Sequence, residues 1–154
     1  MIKSRIQSET MARAISFAVL LGGLTGCGGT YDASVSGVAK LNDSPLTTGT
    51  VKFSPEQSGP SGYGLINGDG SFTVMTGREE GLPSGPYVVT VVANEPSIPN
   101  KNPSLPPAPG KAITPAWYRD PSQSPLKIKV EPGSNEVPLN LTSQPPAGWK
   151  PGRR

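Results

Sequence analysis

The segment Tyr87-Val88-Val89-Thr90-Val91-Val92-Ala93 is apolar at every position except Thr90. Its β-branched and aromatic side chains favour an extended strand, and successive side chains of a strand point to opposite faces of the sheet. A strand that is apolar on both faces is covered on both sides. We therefore predict that residues 87–93 form a central strand, with the remaining strands arranged around it.

The segments before and after it alternate apolar with polar residues, as half-buried strands do. Asn67-Gly68-Asp69-Gly70 is the clearest hairpin turn, and residues 131–135 form a second, across which Lys129 is expected to face Glu136. Pro138 indicates that the last strand is an edge, because proline cannot donate to a ladder. The predicted fold is an all-β antiparallel sandwich of seven strands: residues 35–41, 50–53, 63–66, 71–75, 87–93, 126–130 and 137–141.

The composition excludes several classes of function. The 154 residues include one cysteine and no histidine, so neither an intrachain disulfide nor an imidazole base or metal ligand is available. The net charge of +3 is concentrated at the two ends, since residues 1–26 alone contribute +2 from three basic residues and one acidic residue. No basic stripe remains on the domain, and nucleic acid is therefore not an expected partner.

The N-terminal segment is organised like a signal peptide. Three basic residues precede an apolar run, residues 14–21, which is too short to span a bilayer. The following Leu24-Thr25-Gly26-Cys27 resembles the lipobox of bacterial lipoproteins. The resemblance implies cleavage before Cys27 and attachment of diacylglycerol and an acyl chain such as palmitate to that cysteine. Residues 1–26 are then the signal peptide, and residues 27–32 are the lipidated cysteine and a short tether.

Four segments of the domain follow one another in a recognisable order: Val35-Ser36-Gly37-Val38, Gly49-Thr50-Val51-Lys52-Phe53, Asp69-Gly70-Ser71-Phe72 and Gly85-Pro86-Tyr87-Val88-Val89-Thr90-Val91. Their order resembles that of carboxypeptidase regulatory-like domains, which are transthyretin-like, Ig-like Greek-key sandwiches common on small bacterial lipoproteins. The resemblance covers residues 33–142 and consists of turn and core signals, so it implies a fold rather than an activity. Asp43-Ser44-Pro45 departs from the family's usual Asp-Gly-Lys-Pro turn.

Two segments do not fit the strand pattern. Residues 94–125 form a long insertion punctuated by nine prolines, which predicts an extended, stiff spacer. Residues 143–154 are polar, basic and rich in Pro and Gly, and they predict a disordered tail. An odd number of alternating strands would place the two chain ends at opposite ends of the domain, so that the tail points away from the membrane.

The residues that could take part in catalysis or metal binding are better explained as ordinary loop and turn residues. Glu79 and Glu80 are neighbours in a predicted loop, and sequence adjacency does not place two carboxylates across one cleft. Asn67, Asp69 and Ser71 lack the remaining positions of a calcium loop and predict a β-turn. We therefore expect no enzyme activity, no metal and no cofactor apart from the covalent lipid on Cys27.

Trp117 and Tyr118 are the candidate binding surface, because adjacent aromatic rings on a loop can stack on sugars or on a partner's apolar patch. The other interpretation, which we favour because large aromatic residues are mostly buried, is that the rings fold back and close an open end of the sandwich. The expected function is a non-catalytic structural or protein-interaction module of the cell envelope, anchored by lipid on the non-cytoplasmic face of a bacterial membrane. A carbohydrate-binding module using Trp117 and Tyr118 is the alternative. Partners besides the membrane are expected among cell-wall or envelope proteins and glycans, while the oligomeric state and the choice of inner or outer membrane are left open.

Overall fold

The structure, a computed structural model, describes residues 30–102 and 104–150. The predicted signal peptide, the lipobox residues Leu24, Thr25 and Gly26, the lipidation site Cys27 and residues 151–154 lie outside the described residues.

Strands dominate the described part of the chain, as the alternation of apolar and polar residues predicts. In chain order the elements are β1 (Ala33–Leu41), β2 (Ser44–Pro45), β3 (Thr50–Pro55), β4 (Gly62–Leu65), β5 (Ser71–Thr73), β6 (Met75–Thr76), β7 (Glu79–Glu80), β8 (Gly85–Val92), α1 (Ala116–Arg119), β9 (Lys127–Val130), β10 (Gly133–Glu136) and β11 (Leu139–Leu141). The all-β prediction is confirmed.

The strands form two sheets. One has the antiparallel order β7-β6-β4-β3-β8-β9, in which β8 lies between two partners and so confirms the interior position predicted for residues 87–93. The other sheet is built on β1, which pairs with β2, β5, β10 and β11. Residues from both sheets, including Val35, Phe53, Val91 and Leu139, belong to one hydrophobic core cluster.

The prediction of a purely antiparallel arrangement is wrong, because β1 is parallel to both β10 and β11. The hairpin expected across residues 131–135 does not form either: β9 pairs with β8 in one sheet, and β10 pairs with β1 in the other. The side chain of Asn135 stabilises this crossing by donating hydrogen bonds to the carbonyl oxygens of Glu131 (2.7 Å) and Ser34 (3.2 Å). Lys129 consequently pairs with Glu131 at 2.7 Å, and not with Glu136.

The turn at residues 67–70 forms as predicted, with the Gly70 N–H donating to the Asn67 carbonyl at 2.9 Å. However, the strands that it joins do not pair as a hairpin: β4 pairs with β3 and β6, while β5 pairs with β1. The turn is therefore a corner between the sheets. The local chemistry of Asn and Gly determines the turn, but the burial of each strand's apolar face determines its partner.

The described residues contain eleven strands, whereas the sequence predicts seven. Breaks within the predicted strands account for part of this difference. Residues 71–75 divide into β5 and β6, which belong to different sheets. Residues 137–141 begin as a strand only at Leu139, because Pro138 has no N–H to donate. β11 pairs with β1 alone, which agrees with the edge position predicted from Pro138.

The insertion at residues 94–125 is not a single extended spacer, as its prolines predict, because part of it folds back. Its first part, residues 94–112, folds back on itself through bridges between Asn94 and Ala112 and between Ile98 and Ala108. We call this segment the proline-rich arm. Its second part returns along β8, where the Ile113 N–H donates to the Ala93 carbonyl at 2.9 Å and the Ser124 hydroxyl donates to the Val89 carbonyl.

The parallel registers define two ends of the fold. Ala33 is beside Gly133 at what we call the proximal end, and Leu41 is beside Leu141 at the distal end. At a rise of about 3.3 Å per residue, these ends are about 26 Å apart. The predicted opposite placement of the two ends of the domain is therefore correct for the described residues. Its cause is the parallel direction of the first and last strands, and not an odd number of antiparallel ones.

Candidate functional site

The predicted binding residues Trp117 and Tyr118 lie on α1, a single helical turn that begins after Pro115. Both side chains are buried in the core cluster, with only 7% of Trp117 and 3% of Tyr118 exposed. Trp117 and Tyr118 therefore do not form an exposed aromatic surface in this structure. The alternative interpretation, in which the rings fold back into the domain, is the arrangement observed, because burying two large rings removes more apolar area from water than displaying them.

Tyr118 connects the two halves of the fold. Its hydroxyl oxygen accepts a hydrogen bond of 3.1 Å from the backbone N–H of Thr142, the residue that follows β11. Because α1 packs beside β8, this bond joins the insertion to the sheet built on β1. The role of Tyr118 is structural in this arrangement.

Trp117 is covered by a residue that the sequence placed in a disordered tail. The ring of Trp149 lies edge-on to that of Trp117, with centroids 4.9 Å apart and an interplanar angle of 66°. The indole N–H of Trp149 donates to the side-chain oxygen of Gln123 at 2.8 Å. Trp149 therefore packs on the domain, although the segment that contains it is predicted to be disordered. A tryptophan in an otherwise polar segment, placed just after Pro145-Pro146, is the signal that could have indicated a folded-back end.

The indole N–H of Trp117 has no such partner. It is buried and donates to no acceptor within residues 30–102 and 104–150. An open groove of about 360 Å³ is lined by Gln123, Pro125 and residues 146–150, so that Trp149 lines it and Trp117 does not. The described structure thus places the unpaired buried donor of Trp117 next to Trp149, whose ring also lines the groove.

The two sheets present different outer surfaces. Around β1, a groove of about 580 Å³ is lined by nine residues, of which four carry hydroxyl groups: Ser36, Ser71, Thr73 and Ser134. The outer side of β4 and β6 instead exposes Tyr63, Leu65 and Met75. Lys52 lies 5.5 Å from the centroid of the Tyr63 ring, which is a cation–π contact.

The carboxylates considered from the sequence do not form a catalytic pair. Glu79 and Glu80 form the short strand β7, which corrects the prediction of a loop, and both are exposed. Adjacent strand residues point to opposite faces, so the two carboxylates do not share a cleft. Within the described ranges, no three or more Asp, Glu, His and Cys side chains form a group that could hold a metal ion.

Asp69 confirms the turn interpretation. It accepts hydrogen bonds from the Ser71 hydroxyl (2.7 Å) and backbone N–H (2.9 Å), which lower the pKa of its carboxyl group. Both bonds stabilise the corner that leads into β5.

At the proximal end, a carboxylate fastens the start of the domain to the loop before β8. Asp32 accepts hydrogen bonds from the hydroxyl (2.6 Å) and backbone N–H (2.8 Å) of Ser84, and these bonds lower its pKa. Nearby, the Tyr87 hydroxyl donates to the Pro83 carbonyl at 2.8 Å; burial, and then the charge of Asp32, raise the pKa of this hydroxyl. These bonds fix Asp32, which lies two residues after the first described residue, to the loop before β8.

Comparison with protein-family models, with curated proteins and with solved structures yields no significant match to this chain. In the part of the chain that the structure describes, no helix has the length and apolar character needed to cross a bilayer.

Proposed function

We propose that this protein is a lipid-anchored β-sandwich of the bacterial cell envelope, of the carboxypeptidase regulatory-like type, and that it acts as a non-catalytic structural or protein-interaction module. The lipobox-like Leu24-Thr25-Gly26-Cys27 and the preceding basic and apolar segments support the anchor. Four residues between Cys27 and Asp32 extend at most about 14 Å, so the proximal end stays close to the bilayer.

The observation that carries the proposal is the separation of the two ends. Asp32 and Ser84 hold the start of the chain at the proximal end. β8 begins beside this contact and ends at Val92, after which the chain enters the proline-rich arm. An anchor at Cys27 would therefore place the arm on the side of the domain that faces away from the membrane.

The arm has the properties of a partner-binding element. Ile98 is 60% and Leu105 is 54% exposed, which leaves two large apolar side chains in water. The bridge between Ile98 and Ala108 and the many prolines of the arm limit the conformational entropy that binding would cost. Envelope proteins and cell-wall material are the partners within its reach. The alternative, a carbohydrate-binding module using Trp117 and Tyr118, would require both buried rings to be uncovered.

Two measurements test this proposal. Metabolic labelling with a palmitate analogue, followed by mass spectrometry of the mature N-terminus, should show acylation at Cys27 and none in Cys27→Ser. Photo-crosslinkers at Ser84 and at Leu105 should then react with lipid and with protein or cell wall, respectively. An unmodified thiol at position 27 would refute the anchor. Lipid crosslinks at Leu105 as strong as those at Ser84 would refute the orientation.

A further inference from the structure

The last described segment of the chain makes few hydrogen bonds to the rest of the domain. We call residues 145–150 the C-terminal strap. Before it, Ser143 is fixed by a hydrogen bond of 3.0 Å from its backbone N–H to the side chain of Asn42. Among the described residues, one hydrogen bond joins the strap to the body, from the Trp149 indole to Gln123. The other strap hydrogen bond is internal, from the Trp149 N–H to the Pro146 carbonyl.

The surface beneath the strap contains a buried hydrogen-bond donor without an acceptor. Trp149 supplies a ring against Trp117 and a donor to Gln123, but it leaves the buried Trp117 N–H without an acceptor. Buried polar groups in native proteins are nearly always hydrogen-bonded, so an exception indicates either a function or another state in which the group is paired. An occupant that offered the same ring and donor together with a carbonyl oxygen would pair every polar group here.

We propose that Trp117 and Gln123 form a recognition site for a peptide, and that the strap fills this site as a displaceable internal ligand. The occupant is an extended segment of a partner protein that carries an aromatic ring with a hydrogen-bond donor, tryptophan or tyrosine, next to proline. The strap itself has this chemistry, because Trp149 places its ring against Trp117 and its indole donor on Gln123, and Pro146 lies three positions before it. The site does not depend on lipidation at Cys27.

The strap competes with a partner peptide because it is covalently joined to the domain that contains the site. A ligand joined by a short flexible connection has an effective concentration in the millimolar range, so a free peptide binds only weakly while the strap is in place. Removing the Trp149 ring should therefore increase the affinity for an added peptide at least tenfold. The chain contains two tryptophans, so Trp149→Ala leaves Trp117 as the single indole and makes its fluorescence a direct signal from the site.

The test uses the full chain and two fluorescein-labelled peptides. The first has the sequence of residues 144–152 with Trp149 replaced by tyrosine, and the second has alanine there. Fluorescence anisotropy should show the tyrosine peptide binding Trp149→Ala at least tenfold more tightly than wild type, with a shift in Trp117 emission. The alanine peptide should not bind, and adding Gln123→Ala should reduce the affinity again. Leu65→Ala, on a different surface, should change nothing.

Equal binding of the tyrosine peptide to wild type and Trp149→Ala, or no binding to either, would overturn the proposal. Binding of soluble cell-wall glycan to Trp149→Ala in place of the peptide would overturn it in favour of a sugar site. Trp149→Leu retains an apolar cover without the indole donor and controls for a folding defect in Trp149→Ala. This variant should bind the tyrosine peptide with intermediate affinity. Binding as weak as that of wild type would also count against a displaceable strap.

Discussion

Leu41 and Leu141 lie beside each other at the distal ends of two parallel strands, although one hundred positions separate them in the chain. Parallel neighbours cannot be joined by a short turn, so the whole intervening domain serves as their connection. Just beyond this pair, the side chain of Asn42 hydrogen-bonds to Ser143. The first and last strands of the domain are therefore held together along most of β1.

We expect Gly37→Ala to destabilise this pairing. A Cβ atom at Gly37 would overlap the carbonyl oxygen of Val137, in the link between β10 and β11. The chain would have to move away from β1, at a cost of about 2 kcal/mol. Gly68→Ala is the matched control, since a Cβ there meets nothing within 4 Å. Urea unfolding of both variants checks this, and equal stabilities would contradict the close approach.

Val91→Asp should prevent stable folding. Val91 is 0% exposed and lies on β8 between β3 and the returning insertion, so the substitution buries a carboxylate without a partner. The expected loss is at least about 3 kcal/mol, which is a large part of the stability of a small domain. Leu65→Asp introduces the same charge at a side chain that is 74% exposed and should cost little. Circular dichroism and thermal unfolding distinguish them, and a folded Val91→Asp protein would show that β8 is misplaced.

Tyr118→Phe should weaken the contact between α1 and the end of β11. The substitution removes the oxygen that accepts the Thr142 N–H at 3.1 Å and leaves the ring in the core. The expected loss is about 1 kcal/mol, because the backbone donor loses its partner. Tyr63→Phe, at an exposed ring, serves as the control and should stay within about 0.5 kcal/mol of wild type. Similar losses for both would indicate that the Tyr118 hydroxyl does not stabilise the fold.

Asp32 should contribute to the loss of stability in acid. Its pKa is lowered in the folded state by the hydroxyl and backbone N–H of Ser84. A depressed carboxyl pKa stabilises the fold above the unfolded value of about 3.9, and this contribution disappears as the pH falls through the folded pKa. The unfolding free energy of Asp32→Asn should therefore fall less between pH 7 and pH 2.5 than that of wild type. Asp69 and Asp120 are lowered in the same way by Ser71 and Ser122, so part of the acid effect should remain. Parallel curves for wild type and Asp32→Asn would contradict this role.

Local features of the domain follow from the sequence alone. The interior position of β8, the turn at residues 67–70 and the edge position indicated by Pro138 each depend on side chains within a few positions of one another. Periodicity, turn chemistry and the missing N–H of proline act over that distance, and they are sufficient to predict an all-β chain.

The partner of each strand and the surroundings of each aromatic ring were decided by the tertiary structure. The alternation in residues 126–130 shows which side chains turn inward, but it does not distinguish a hairpin partner from β8. Likewise, nothing near Trp117 in the chain indicates that Trp149 covers it. The physical reason is that strand pairing and ring burial gain similar free energy from many alternative partners. The arrangement that buries all apolar faces at once selects among them, and it joins residues that are far apart in the chain.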